Sequence, residues 1–410
     1  MVLEKSAKLF GTVSFVALML SATSLKAQDI VRTTALDIPE AKAPPAIMVG
    51  SLAISPTIDA KLEYDDNIYA RPTNKIDDFN IVVTPRIDAE VETGDVTAKL
   101  YTEARIRRFF EQSRENSEAG SLGGNLNWNL SATDRIRFAA GWERVAEDRG
   151  APEARDIVAI GPRILNLFRT EANYEHVGTR IEYGVSVIAD KLDYPDMLDA
   201  DREFMSYTGE ARVGYRINGS TSVIGIGFVN RRDYKLPVDY SLVDRDATTY
   251  GARAGLRFDG GAFIKGEATL GAFRFKGDDV TVNSRTGVSA AMSLVYAPTR
   301  RAAFTLNAFR GDIATVRRGA DSRQDTRIRL GFQQEVRQNF RLQAAFVYRR
   351  RTYSGITDRE TLLGGLFEAE YRIRRNASIS ASVRYADQDS NIAEENFKRL
   401  RTALTFRVQF

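Results

Sequence analysis

From residue 52 onward, apolar and polar residues alternate with a period of two rather than 3.6, the pattern of strands that bury one face. In the first such segment Leu52, Ile54, Pro56, Ile58, Ala60, Leu62 and Tyr64 share one face, and Ser55, Thr57, Asp59, Lys61 and Glu63 share the other. The second segment sets Ile81, Val83, Ile87, Ala89 and Val91 against Thr84, Arg86, Asp88, Glu90 and Glu92. The last sets Leu400, Thr402, Leu404, Phe406, Val408 and Phe410 against Arg399, Arg401, Ala403, Thr405 and Arg407. Charges along a whole face are unlike the strands of a soluble sandwich. A length of about ten residues suits a tilted strand crossing a membrane.

Eighteen segments are counted, centred near residues 58, 87, 102, 126, 140, 169, 186, 212, 226, 254, 268, 291, 306, 331, 345, 367, 381 and 404. Short connections fall at Thr93-Gly94-Asp95, Asn218-Gly219-Ser220, Asp259-Gly260-Gly261 and Arg337-Gln338-Asn339, with the Gly, Asn and Asp that tight hairpins need. Longer polar stretches separate them, at 65–78, 145–162, 193–205, 233–248, 311–325 and 386–396. The expected fold is therefore all-β, a transmembrane antiparallel up-and-down barrel of about 18 strands with short turns at one end and long loops at the other. On the apolar face, Tyr64, Trp142, Tyr348 and Tyr385 fall toward the loop end. Trp128, Tyr174, Tyr215, Phe258, Tyr296 and Tyr371 fall toward the turn end, so the rings form two girdles. Pro56 and Pro85 interrupt the first two strands, and a bulge or an unpaired bond is expected there.

The first thirty residues have another character. Lys5 and Lys8 precede the apolar run Leu9 to Leu20, and small and polar residues follow from Ser21 to Ala27. This is the layout of a cleaved secretory signal, and the run is too short to span a bilayer. The expected division is a signal peptide at 1–27, a Pro-bearing periplasmic tail at 28–50 and a barrel at 51–410. With both chain ends on the periplasmic side, every long loop lies outside the cell, and the location is the Gram-negative outer membrane.

Composition narrows the chemistry. There is no cysteine, so disulfides and Cys-based metal or redox sites are excluded. The net charge of +4 comes from cations spread along the strands, not a long basic block, which argues against nucleic acid as a partner. His176 is the only histidine and lies in the expected periplasmic turn Glu175-His176-Val177-Gly178. A Ser–His hydrolase would need its histidine on the other side of the membrane. No His, Cys and acidic ligands cluster as zinc requires, and the adjacent acidic pairs Asp65-Asp66 and Asp278-Asp279 lie in polar connections. No enzyme, cofactor or metal is expected.

The polar faces are more informative, because eighteen strands enclose a lumen too wide for ordinary side chains to fill. Its wall is mixed in sign early on, with Asp59, Glu63, Asp88, Glu90, Glu92 and Glu103 beside Lys61, Arg86, Lys99, Arg105 and Arg107. Later it is dominated by Arg327, Arg329, Arg341, Arg349, Arg372, Arg384, Arg399, Arg401 and Arg407, which face Glu335, Glu368 and Glu370. Two readings stand together: ion pairs that brace the wall, and a pore-lining basic strip that orients anionic solutes. Phe406 and the terminal Phe410 are the expected signal to the outer-membrane assembly machinery.

Tyr64-Asp65-Asp66-Asn67-Ile68-Tyr69, with Pro56 upstream and Val83-Thr84-Pro85 downstream, resembles the outer-membrane β-barrel porin family of proteobacteria. Members often accompany exopolysaccharide synthesis and export genes. The resemblance implies a channel in polysaccharide export, with outer-membrane lipid and a periplasmic polysaccharide-export protein as partners. A general diffusion porin and a plugged structural or adhesive barrel are the alternatives. Asp65, Asp66 and Asn67 are either a polar turn or oxygen ligands for calcium.

Overall fold

The computed structural model describes residues 46–151, 153–154, 161–261 and 263–410; the expected signal segment and residues 28–45 of the tail lie outside these. Nineteen strands form one antiparallel sheet. They are β1 (Ile47–Val49), β2 (Leu52–Asp65), β3 (Asp78–Thr93), β4 (Val96–Phe109), β5 (Ser117–Asn129), β6 (Asp134–Ala146) and β7 (Ile164–Val177). β8 (Ile181–Asp193), β9 (Phe204–Asn218), β10 (Thr221–Tyr234), β11 (Ala247–Asp259), β12 (Ile264–Gly277) and β13 (Arg285–Thr299) follow. β14 (Ala302–Ile313), β15 (Ser322–Arg337), β16 (Phe340–Ser354), β17 (Arg359–Arg374), β18 (Ala377–Ser390) and β19 (Phe397–Gln409) complete the chain. Each pairs with its neighbour in sequence, and β19 pairs back onto β2, so β2–β19 close an eighteen-stranded barrel.

All eighteen expected segment centres fall inside these strands. The strands are longer than expected, at 12–16 residues. At about 3.3 Å per residue and a tilt near 40°, thirteen residues rise roughly 33 Å, which exceeds the ~25 Å apolar band. The ladders therefore continue past the membrane, and residues expected in loops, such as Ala386–Ser390, still pair with a neighbouring strand.

Parity sets the two faces. Ile58 and Leu62 are exposed while Glu63 and Asp65 are buried, and the same contrast runs around the ring. Exposed apolar side chains on a closed barrel must lie on its perimeter, and buried charges must lie in the lumen. Gly255 and Gly271 mark a close approach of two strands. A Cβ on Gly255 would lie 1.9 Å from the Ala268 carbonyl oxygen, and one on Gly271 1.9 Å from that of Ala252. Only glycine lets the backbones of β11 and β12 approach this closely.

Of the two outcomes expected at the prolines, the structure shows the unpaired bond and not the bulge. The β2–β3 register passes both without a shift, so neither marks a bulge. Pro56 occupies the gap where one edge of β2 changes partner, from β19 at Thr57 to β1 at Ile54. No donor is needed there, and the Pro56 carbonyl accepts from Phe410 N–H at 2.9 Å. At Pro85 the β3–β4 ladder is interrupted between Val83 and Arg86, a local loss of pairing without a slip. The end of the expected tail also has structure: Ile47–Val49 folds back on Leu52–Ile54 through Gly50, which takes a left-handed φ of 63°.

Candidate functional site: the lumen and its outer mouth

The nine arginines of the expected strip all occupy lumen-side positions, and most are tied to carboxylates. Arg349 donates from Nε to both Asp325 oxygens at 3.0 Å, and Arg327 pairs with the same Asp325 at 3.4 Å. Arg399 and Arg401 share Asp65, at 2.6 and 3.0 Å, and Arg407 holds Asp59 at 2.5 Å. Arg341 reaches Glu370 at 3.9 Å. Arg329, Arg372 and Arg384 complete the set on β15, β17 and β18. Asp59, Asp65 and Asp325 thus hold five of the nine, and Glu370 of the expected carboxylates stands farther off, at 3.9 Å from Arg341. Register explains the difference: Asp59 stands opposite Arg407 and Asp65 opposite Arg401, whereas Arg327 and Arg349 face each other and Asp325 bridges them.

Other pairs cross the wall over several strands. Arg257 of β11 reaches Glu182 of β8 at 3.4 Å and Glu175 of β7 at 3.7 Å; Arg212 of β9 pairs with Glu267 of β12. A cavity of about 80 Å³ remains against β7–β14, lined in part by Phe228, Phe273, Phe309, Arg232 and Arg253.

The outer mouth is closed by its own loops. Asn67, Tyr69, Arg149, Ala151, Tyr194, Asp201, Asp239 and Thr315 lie between strands, yet each is buried. Glu147, just beyond β6, binds Arg202 at 2.6 Å, in the 3₁₀ turn Met197–Arg202 that joins β8 to β9. Asp148 takes Arg401 at 2.7 Å, on the seam strand β19. Arg149 donates to Glu115 at 2.8 Å, and its carbonyl accepts from Arg399 at 2.9 Å.

Glu153 reaches farthest. Its carboxylate lies 3.0 Å from the Arg323 guanidinium and accepts from Thr315 Oγ1 at 2.5 Å and Val316 N–H at 3.1 Å. Arg323 belongs to β15, nine strands from β6 in a ring of eighteen, so Glu153 reaches across the mouth. Glu153 holds a left-handed φ of 63°, a conformation costing a non-glycine residue about 1–3 kcal/mol. Its three contacts offset that cost.

The loops also grip one another. Arg245 donates to the Asp201 carbonyl, Arg318 pairs with the Asp201 carboxylate at 3.3 Å, and Gly319 N–H donates to Asp239 at 2.7 Å. Beneath them Val316 packs with Leu165, Leu192 and Tyr194. Burial pushes the Asp148 carboxyl up, but Arg401, Arg399 and Arg107 outweigh it and hold it well below the ordinary range. Burial likewise raises Glu153, and Arg323 with the Thr315 and Val316 hydrogen bonds brings it below its usual value. Both loop carboxylates are charged at neutral pH.

The sequence reading missed Glu147, Asp148 and Glu153. An acidic cluster inside a connection of an arginine-rich barrel was the available signal. Of the remaining candidates, His176 does not sit in a turn. It lies near the end of β7, its Nδ1 is 2.8 Å from Asp134, and its ring stacks on Tyr183 at 4.8 Å. Asp65 is committed to arginines and to Asn67 N–H, and Asp66 accepts from Leu400 N–H at 2.7 Å, so this segment is a polar turn welded to the seam. Phe406 and Phe410 point outward and are exposed.

An even-stranded closed barrel, apolar outside and charged within, with short turns at one end and long loops at the other, is a bacterial outer-membrane β-barrel. The family described as "Putative beta-barrel porin 2" matches residues 41–410, and the chain belongs to it; its place is the Gram-negative outer membrane. No curated protein matches the sequence. Similar solved structures include the FrpB iron transporter of Neisseria meningitidis, at 9% identity and TM-score 0.46, covering 89% of this chain and 82% of that one. The outer-membrane protein OpdK of Pseudomonas aeruginosa, at 11% identity and TM-score 0.44, covers 87% and 99%. A mutant of the ferric enterobactin receptor PfeA from the same organism, at 8% and 0.45, covers 87% and 80%.

Proposed function

We propose that this barrel is a gated channel whose gate is the interlocked outer loops, and that it is the outer-membrane outlet of an exopolysaccharide export route. The observation that carries the gate is Glu153 seated on Arg323 across the mouth. An always-open diffusion porin has no use for a connection that crosses its own mouth and neutralises wall arginines. A loop held by ion pairs can leave when a partner or polymer competes for those charges.

The export role rests on the resemblance of the Tyr64–Tyr69 segment, and the lumen chemistry is compatible with it. Arg327, Arg329, Arg341, Arg349, Arg372, Arg384, Arg399, Arg401 and Arg407 line the path in this reading. A guanidinium has five N–H donors, so one in an ion pair can still donate to a hydroxyl. A wall of paired charges offers a hydroxyl-rich polymer many hydrogen-bonding groups without a strong one-signed field to trap it. A periplasmic polysaccharide-export protein would deliver the polymer and supply the opening force. Disrupting the gene in its own host tests this: polymer should accumulate in the periplasm and return to the surface on complementation. Unchanged secretion, with loss of small-solute uptake, would instead make the protein a diffusion porin.

A further inference from the structure

We propose that the lipid-facing outer rim of β12–β17 is a binding site for the phosphate groups of the phosphorylated glycolipid in the outer leaflet. The site is independent of what crosses the lumen. At the loop ends of these strands, exposed outward positions carry Arg274 and Lys276 on β12, Arg310 on β14, Arg350 on β16 and Arg359 on β17. The register groups them. Arg310 stands opposite Thr326, which stands opposite Arg350, so two guanidiniums flank one hydroxyl across three strands. With strands about 4.8 Å apart, the two backbones are roughly 10 Å apart, a span that two long cationic side chains can close around one anion. Arg310 leans inward on this row, donating to Gln324 at 3.1 Å and Thr326 at 3.4 Å. Arg359 stands opposite Thr352, one strand on.

Within these strands no acidic residue faces outward; at the arc's edge Asp278, two residues past Lys276, is shared with Arg231. β12–β17 contain seven acidic residues, Glu267, Asp312, Asp325, Glu335, Glu360, Glu368 and Glu370, and each is on a lumen-side position or buried. Among the described residues, none of the five cations has an ion pair with a carboxylate. The rest of the rim differs. Arg108 pairs with Glu118, Lys191 with Asp193 at 3.6 Å, Arg231 with Asp233 and Asp278 at 2.7 Å, and Lys398 with Asp387 at 3.4 Å.

At the turn end of the same strands the cations Arg300, Arg301, Arg337, Arg374 and Arg375 sit at the strand ends and in the turns, beyond the apolar band. The outward positions there hold Ile264, Tyr296, Phe304, Phe332 and Tyr371, and three of these rings form a ladder, with Tyr296–Phe304 at 6.3 Å and Phe304–Phe332 at 4.9 Å. Tyr348, two residues below Arg350, and Tyr250, opposite Arg274, set the cations at the boundary where headgroup phosphates lie. Arginine forks match phosphate oxygens in pairs, and partial exclusion of water strengthens them.

The test uses the full barrel in mild detergent with four probes: bisphosphorylated lipid A, its monophosphorylated form, phosphatidylglycerol and inorganic phosphate. Retained lipid is read by native mass spectrometry, for wild type, for the triple variant Arg310→Gln, Arg350→Gln, Arg359→Gln, and for the control Arg108→Gln. Wild type and control should retain the bisphosphorylated lipid, roughly tenfold or more over phosphatidylglycerol, and the triple variant should lose that margin. Equal retention by the triple variant, or of the mono- and bisphosphorylated forms by wild type, would overturn the assignment. Displacement by inorganic phosphate at millimolar concentration would make it a free-anion site and overturn the lipid. If the triple variant does not assemble, the comparison of probes on wild type decides alone.

Discussion

Replacing Glu153 with glutamine removes one charge and leaves the side chain's shape intact. In the closed mouth its carboxylate is almost fully buried against Arg323, which is completely buried. Removing one member of a buried ion pair costs about 3–5 kcal/mol, because the other charge is left desolvated and unpaired. The cost falls on the closed arrangement alone, since in an open one both groups reach water. Each 1.36 kcal/mol is a factor of ten, so the ratio of open to closed should rise by roughly two to three and a half decades. Glutamine can still accept from Thr315 Oγ1 and Val316 N–H, which places the effect at the lower end of that range. Single-channel recording in planar bilayers at neutral pH reads the open probability, with heat-modifiable migration confirming that the barrel has folded. Glu118→Gln, on the outside of the barrel, is the control. A folded E153Q barrel with the open probability of wild type would refute the gate.

Acid should have the same effect. The Asp148 and Glu153 carboxyls are held below their ordinary values in the closed mouth, so their stabilisation is complete above the free-loop values of about 4. It is lost as pH falls through the lowered closed-state values. Open probability should therefore be flat from pH 7 to about 5 and climb below about 4; a mouth equally closed at pH 3 would contradict this. The chain's end is the other point of attack. Phe410 N–H bonds Pro56 at the seam and Phe406 stands opposite Ala60. Changing Phe406 and Phe410 to aspartate should leave the barrel unassembled in the periplasm, and normal heat-modifiable folding would remove their role as an assembly signal.

The strands were legible because a membrane barrel imposes one rule at nearly every position, apolar out and polar in. That rule placed all nine arginines of the strip on the lumen side. It carries no height, however. Which carboxylate each arginine meets depends on the stagger between strands, so Asp325 rather than Glu335 holds Arg349. Pro56 left a bulge and an unpaired bond both open for a related reason: the seam between two partners that leaves its bond unpaired was invisible in one strand's pattern. The mouth was hidden more deeply. Glu153 and Thr315 are 162 residues apart, and a connection that folds inward has no period to announce it. Only the charge excess of Glu147, Asp148 and Glu153 hinted at what the loop does, and partners on β15 and β19 could not be named without the closed ring.

The account turns on whether the β6–β7 connection blocks the mouth, and a covalent tether across that contact asks this directly. The chain has no cysteine, so Glu153→Cys with Thr315→Cys provides one addressable pair. Losing Glu153 should open the unbridged double variant. A short reducible thiol crosslinker that joins the two cysteines should then silence its current in a planar bilayer, and reductant should restore it. A bridged barrel that conducts as well as the unbridged one would contradict the claim that this loop is the gate.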